Sequence, residues 1–140
     1  MNDRALVDTN ILVYYVSAED LIKHLKAKEF LEKVRNNPSR FVITFQSLRE
    51  FANVLIKRTT ISSAQVGEFI RLFKDVFGDV LHDNRLDLQV AADLARRYEA
   101  RFYDSLIIST AARYEINTFY TENIKDFERI PGIRVVNPLE

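Results

Sequence analysis

Apolar residues along the chain switch repeatedly between short continuous runs and helical spacing. Residues 4–7 form a brief apolar run closed by Asp8, the pattern of a buried strand. From 21 to 35 the positions Leu21, Ile22, Leu25, Ala27, Phe30, Leu31 and Val34 make a helical stripe, which Asn36-Asn37-Pro38 stops. Residues 41–45 are β-branched and aromatic, hence strand. Helical spacing returns over 47–57, with Leu48, Phe51, Ala52 and Leu55 on one side. Ser62 or Ser63 is placed to cap a further helix reaching Phe77, and Gly78 stands just past its end. Residues 79–82 fit a short strand. The last two helices are predicted at 86–100 and 105–114, the second almost wholly apolar and so deep. Residues 118–120 and 133–136 close as strands.

Strand and helix patterns thus alternate, which predicts an α/β fold of three layers, α/β/α, around a central, mostly parallel sheet. No linker, repeat or low-complexity stretch interrupts the 140 residues, so 1–140 reads as one domain. Ligands in such folds sit beyond the carboxyl ends of the strands, near the point where strand order reverses. Function is therefore to be sought in the residues that follow each strand.

Composition narrows the chemistry. The absence of cysteine excludes a disulfide scaffold, a thiol nucleophile and a thiolate metal site. Three separated glycines exclude a glycine-rich phosphate cradle. The longest uncharged run, 9–18, is half of what a membrane span needs and lacks the flanks of a secretion signal, so a cytoplasmic protein without membrane contact is expected. Twenty basic and twenty acidic residues balance to zero. That argues against gripping nucleic acid by bulk charge but leaves room for a local basic strip.

The residues after the strands are acidic. The first strand ends in Asp8-Thr9-Asn10, and the helix after the second carries Glu50. Asp104 introduces the apolar helix, and the strand at 118–120 runs into Thr121-Glu122-Asn123, with Asp126 beyond. Parallel topology brings these to one edge of the sheet, where several carboxylates repel and a divalent cation relieves them. Oxygen ligands alone favour Mg²⁺ or Mn²⁺ over zinc. Each residue also has a plainer role. Asp8 and Asp104 suit helix N-caps, Glu50 lies opposite its helix's apolar stripe and suits a solvated face, and Glu122 and Asp126 stand in a polar loop. Their shared placement is the signal.

Five segments in order resemble the PIN-domain ribonucleases, especially VapC-type toxins of toxin–antitoxin pairs. They are Leu6-Val7-Asp8-Thr9-Asn10-Ile11-Leu12, Ser47-Leu48-Arg49-Glu50-Phe51-Ala52-Asn53-Val54-Leu55, Tyr103-Asp104-Ser105-Leu106-Ile107, Thr121-Glu122-Asn123-Ile124-Lys125-Asp126-Phe127 and Ile133-Arg134-Val135-Val136-Asn137-Pro138. The resemblance implies a metal-dependent endoribonuclease with Asp8, Glu50 and Asp104 as catalytic, metal-holding acids. The fourth acid is Glu122 or Asp126, because Asn123 stands where many relatives have Asp. Thr9, Asn10, Ser105 and Asn123 are expected around that set. The resemblance further implies an RNA substrate cut to 5′-phosphate and 3′-hydroxyl ends, a small antitoxin partner and a homodimer.

Substrate grip needs positive charge near the acids. Arg49, Lys57 and Arg58 lie on or beside the Glu50 helix, and Arg96, Arg97 and Arg101 precede Asp104. Tyr14, Tyr15, Tyr103 and Tyr120 are able to stack on bases, though buried packing is the default for such rings. His24 and His82 fall outside the motifs. The Phe-rich stretch 67–77 suits packing within the fold or against another chain. Two rival readings are a haloacid-dehalogenase-like phosphatase, which wants an acid where Asn10 stands, and a non-enzymatic module on the same fold.

Overall fold

The computed structural model describes residues 3–140. Its five strands are β1 (Ala5–Val7), β2 (Phe41–Thr44), β3 (Asp79–Leu81), β4 (Thr118–Tyr120) and β5 (Arg134–Val136). They form a sheet of order β3-β2-β1-β4-β5 in which every neighbouring pair is parallel. Ala5 pairs with Phe41 on one side and Thr118 on the other, so β1 is central. The chain moves outward from β1 to β3, then returns to β1's other side for β4 and β5.

The helices are α1 (Thr9–Val16), α2 (Leu21–Asn36), α3 (Phe45–Arg58), α4 (Ser63–Val76), α5 (Arg85–Tyr98), α6 (Phe102–Arg113) and α7 (Ile124–Glu128). Successive strand residues point to opposite faces. Val7 and Ile43 join a core with α1, α2, α3 and α4, including Ile11, Phe30, Phe51 and Phe73. Leu6, Val42, Leu81 and Phe119 join a second core with α6 and α7, including Ile107, Ala111 and Phe127, against which Leu94 and Tyr98 of α5 also pack. These are the outer layers of the expected α/β/α fold. Phe73 stacks edge-on to Phe51 at 5.0 Å, and Phe69 and Phe77 flank it, so the Phe-rich stretch packs within the fold. The helix at 105–114 is as deep as expected, with every residue from 105 to 111 buried.

Three differences from the sequence reading bear on the site. α1 forms at Thr9–Val16, where apolar residues follow one another without a period that would predict a helix. Phe45 belongs to α3 and not to β2, because Thr44 caps the helix by accepting from the Ser47 N–H at 3.0 Å. The apolar helix begins at Phe102, three residues earlier than expected, with Arg101 as its N-cap. Asp104 is therefore not a cap; it lies inside the first turn.

Two features hold the layers in register. Gly78 donates its N–H to the Phe41 carbonyl at 3.0 Å, and a Cβ there would come within 2.2 Å of the Pro38 carbonyl oxygen. Only glycine fits that approach. Asp87, 2% exposed, closes a capping box with Asn84 and takes a two-pronged contact from Arg113 of α6, whose Nη2 also reaches the His82 carbonyl. Among the described residues no helix is long and apolar enough to cross a membrane.

Candidate active site

Strand order reverses between β1 and β4, which opens a crevice at their carboxyl ends. Asp8 stands there, buried, as the N-cap of α1. Its Oδ1 accepts from the Thr9 N–H at 2.8 Å and its Oδ2 from the Thr121 hydroxyl at 2.9 Å. That hydroxyl also accepts from Asn10 Nδ2 at 3.3 Å and from the Asn123 N–H at 3.0 Å. One donor and two acceptor sites are all a threonine hydroxyl has, and all are used. Asn10 Oδ1 accepts from the Glu122 N–H at 3.4 Å, completing the stitch between the two strand ends.

Glu50 lies in α3 beyond its Thr44 cap and is half-buried, not on a fully solvated face. Gln46, one turn earlier, donates its Nε2 to Glu50 Oε1 at 2.7 Å and to the Tyr103 carbonyl at 3.2 Å, tying α3 to the start of α6. Asp104 occupies the first turn of α6, where the helix dipole favours an anion. The Ser105 hydroxyl is engaged by the Arg101 carbonyl at 2.8 Å.

Asp8, Glu50 and Asp104 line one cleft of about 460 Å³, together with Thr9, Asn10 and Asn123. Burial, with the nearby Asp104 and Glu50 charges, pushes the Asp8 carboxyl up to about 6 against the pull of Thr121 and Thr9. Burial also raises the Asp104 carboxyl to about 6, aided by Asp126 and Glu50 and opposed by Arg101. Glu50, Asp8, Asp104 and Asp126 therefore share one negative field. Glu122 has a cationic partner: its carboxylate pairs with Lys23 of α2, whose ammonium also lies 5.2 Å from the Tyr14 ring centre.

The donor set fits a hard divalent cation. It is all oxygen, it gathers several carboxylates, and among the described residues Thr9 Oγ1 is buried beside Asp8 with no hydrogen-bond partner. Among those residues no three acidic or histidine side chains converge tightly enough to hold an ion unaided. An ion of the Mg²⁺ kind keeps several waters and needs only one or two carboxylates directly.

The expected basic residues divide. Arg101 borders the cleft, as does Arg58. Arg49 reaches Asp83 at 3.7 Å and lies over the Phe45 ring, Arg97 pairs with Asp93 at 3.0 Å on α5, and Lys57 is exposed on the last turn of α3. His24 bonds the Tyr14 carbonyl and His82 stacks on Phe45. Tyr103 departs from the packing default: it is largely exposed. Sequence reasoning missed Thr121 and Gln46. Thr121's position directly after β4, facing Asp8, and the four-residue spacing of Gln46 and Glu50 were the available signals.

The family model of the PIN domain matches residues 5–133. The chain belongs to the PIN domain family. No curated protein sequence matches it. Among solved structures, this PIN domain is similar to a toxin–antitoxin complex from Klebsiella pneumoniae, with 26% identity, a TM-score of 0.69 and coverage of 96% of this chain and 97% of that one. It shares its fold with VapBC2 from Rickettsia felis bound to a DNA fragment from their promoter (24% identity, TM-score 0.71, 95% and 97% coverage). The same holds for VapC20 from Mycobacterium tuberculosis, a sarcin–ricin loop cleaving toxin (17% identity, TM-score 0.69, 89% and 92% coverage). The PIN resemblance read from the five segments is borne out, and the dehalogenase-like alternative falls with it.

Proposed function

We propose that this PIN domain, as one unit spanning residues 1–140, is a Mg²⁺- or Mn²⁺-dependent endoribonuclease and the toxin of a toxin–antitoxin pair. The observation that carries the reading is the coupled field of Glu50, Asp8, Asp104 and Asp126 at the point where strand order reverses. Membership of the PIN domain family and likeness to the Klebsiella toxin–antitoxin complex support the reading.

Asp8 and Asp104 would hold the ion, with Asp126 as the fourth acid, since Lys23 already compensates Glu122. A bound divalent ion supplies positive charge for the phosphoryl oxygens and a more acidic water. Thr121 and the Thr9 N–H fix the Asp8 carboxylate, and Gln46 fixes Glu50 so that its free oxygen can orient the attacking water. Water adds to phosphorus, the bond to the 3′-oxygen breaks, and that oxygen takes a proton. The products carry a 5′-phosphate and a 3′-hydroxyl. Arg101 and Arg58 at the rim are placed to meet phosphates.

The antitoxin reading rests on the similar toxin–antitoxin complex, and the homodimer reading on the family resemblance alone. Exposed Leu21, Ile22 and Leu25 on the first turns of α2 supply apolar surface for such a partner. The test is to incubate purified protein with RNA and Mg²⁺ or Mn²⁺ and to map the fragment ends. Metal-dependent cuts ending in 5′-phosphate support the reading. Cyclic phosphate ends, or cleavage undiminished by a chelator, refute it.

A further inference from the structure

A second cleft, of about 790 Å³, adjoins the acidic one and shares Glu50, Arg101 and Asp104 with it. Its other walls come from the start of α3 and of α6, including Arg49, Asn53 and Tyr103. Tyr103 is the unusual member. It is 65% exposed although it directly precedes a half-buried acid of the site. Phe102 meets it at 5.3 Å with the ring planes at 76°, so that contact covers at most one face of Tyr103. The Tyr103 main chain, by contrast, is pinned: its carbonyl accepts from the same Gln46 amide that holds Glu50. A flat ring is thus presented to solvent from a main chain anchored beside the acids.

The surroundings say what such a ring would meet. Two guanidinium groups, Arg49 and Arg101, border the cleft, and Asn53 offers both a donor and an acceptor. An aromatic face, cationic groups along the path and a carboxamide together match an unpaired nucleotide: base, phosphate and base edge. A docking protein helix would instead ask for an apolar floor, and this one carries Glu50 and Asp104.

We propose that this cleft carries the RNA strand next to the scissile phosphate, with an unpaired base stacked on Tyr103 and the backbone held by Arg101 and Arg49. The inference rests on the nuclease reading above and goes beyond it by naming the residue that selects unpaired RNA. A base inside a duplex is already stacked on both faces and has none to offer Tyr103.

The chain contains no tryptophan, so Tyr103→Trp combined with Asp8→Asn places a single indole on the platform in a cleavage-deficient background. A short randomised single-stranded RNA pool is expected to quench its emission more than about twofold, and the same pool annealed to its complement to leave it unchanged. In the otherwise native chain, Tyr103→Ala should raise KM for single-stranded RNA about tenfold with kcat nearly constant, and Tyr103→Phe should restore KM, because stacking needs the ring and not the hydroxyl. A chain that cuts RNA with the same KM after Tyr103→Ala overturns the platform and leaves the nuclease reading intact. A wild-type chain that cuts no RNA with Mg²⁺ or Mn²⁺ overturns both. If Tyr103→Ala leaves KM unchanged but abolishes inhibition by a co-purified protein partner, the cleft belongs to that partner and the proposal fails.

Discussion

The Thr121 hydroxyl donates to Asp8 Oδ2 at 2.9 Å, bridging the ends of the two strands where sheet order reverses. Removing that donor leaves a buried carboxylate with only one backbone bond. Thr121→Val should therefore cost about 1–3 kcal/mol of stability near neutral pH. It should also move the Asp8 carboxyl above its value of about 6, because the Thr121 bond is the larger of the two contacts that hold it down. Urea denaturation and a carboxyl NMR titration measure the two effects. Thr121→Ser should restore both.

The raised carboxyls of Asp8 and Asp104 fix the sign of a pH effect. Each rises from 3.8 to about 6 in the folded chain, so between those values the folded state holds more protons than the unfolded one. Stability then falls as pH rises through that window, and above about pH 6 the whole penalty stands, about 3 kcal/mol for Asp8 and less for the more exposed Asp104. In a chelator, Asp8→Asn should melt with wild type at pH 4 and above it at pH 7.5. Parallel melting curves across the range would contradict this.

A divalent ion favours the ionised forms of the same two groups, so its binding should release about two protons at pH 5. Apparent Mn²⁺ affinity should then rise roughly 100-fold between pH 5 and pH 8. Calorimetric titrations in buffers of different ionisation enthalpy count the protons. An affinity that does not vary with pH would remove Asp8 and Asp104 from the metal site.

Lys23 and Glu122 form an ion pair, while Asp126 adds to the charge acting on Asp104. Asp126→Asn should weaken Mn²⁺ binding about tenfold or more, and Glu122→Gln should leave it within a few-fold of wild type. The reverse order would make Glu122 the fourth acid.

Asp87 is held by Arg113 behind the sheet, far along α6 from Asp104. Arg113→Met strands the buried Asp87 carboxylate and should cost about 3 kcal/mol, close to a 10 °C drop in Tm for a chain of this size. Cleavage per folded molecule should be unchanged. A selective loss of activity would mean that the pair also sets the position of Asp104.

The fold was legible because its strands are short apolar runs and its long helices have a clear period. The places where the period failed are informative. α1 is apolar almost all round, and α7 has five residues, too few to show a repeat. The acids were legible from their position after strands, as was the choice between Glu122 and Asp126. What sets the two apart in the fold is Lys23, which pairs with Glu122 from 99 positions away in sequence, and no local pattern announces such a pair. Thr121's place directly after a strand could be read, but its bond to Asp8, 113 residues distant, could not. Tyr103 carried the wrong default because large rings are usually buried, and only the tertiary arrangement of α3 and α6 leaves it in solvent.

If the acids at the β1–β4 junction make a metal-dependent ribonuclease, cleavage depends on Asp8. The rate of RNA cleavage by wild type against Asp8→Asn, at equal Mn²⁺ and neutral pH, tests it most directly. Asp8→Asn should be slower by about 100-fold or more while melting, in a chelator, no lower than wild type. Equal rates for the two chains, or no metal-dependent cleavage by wild type, would contradict it.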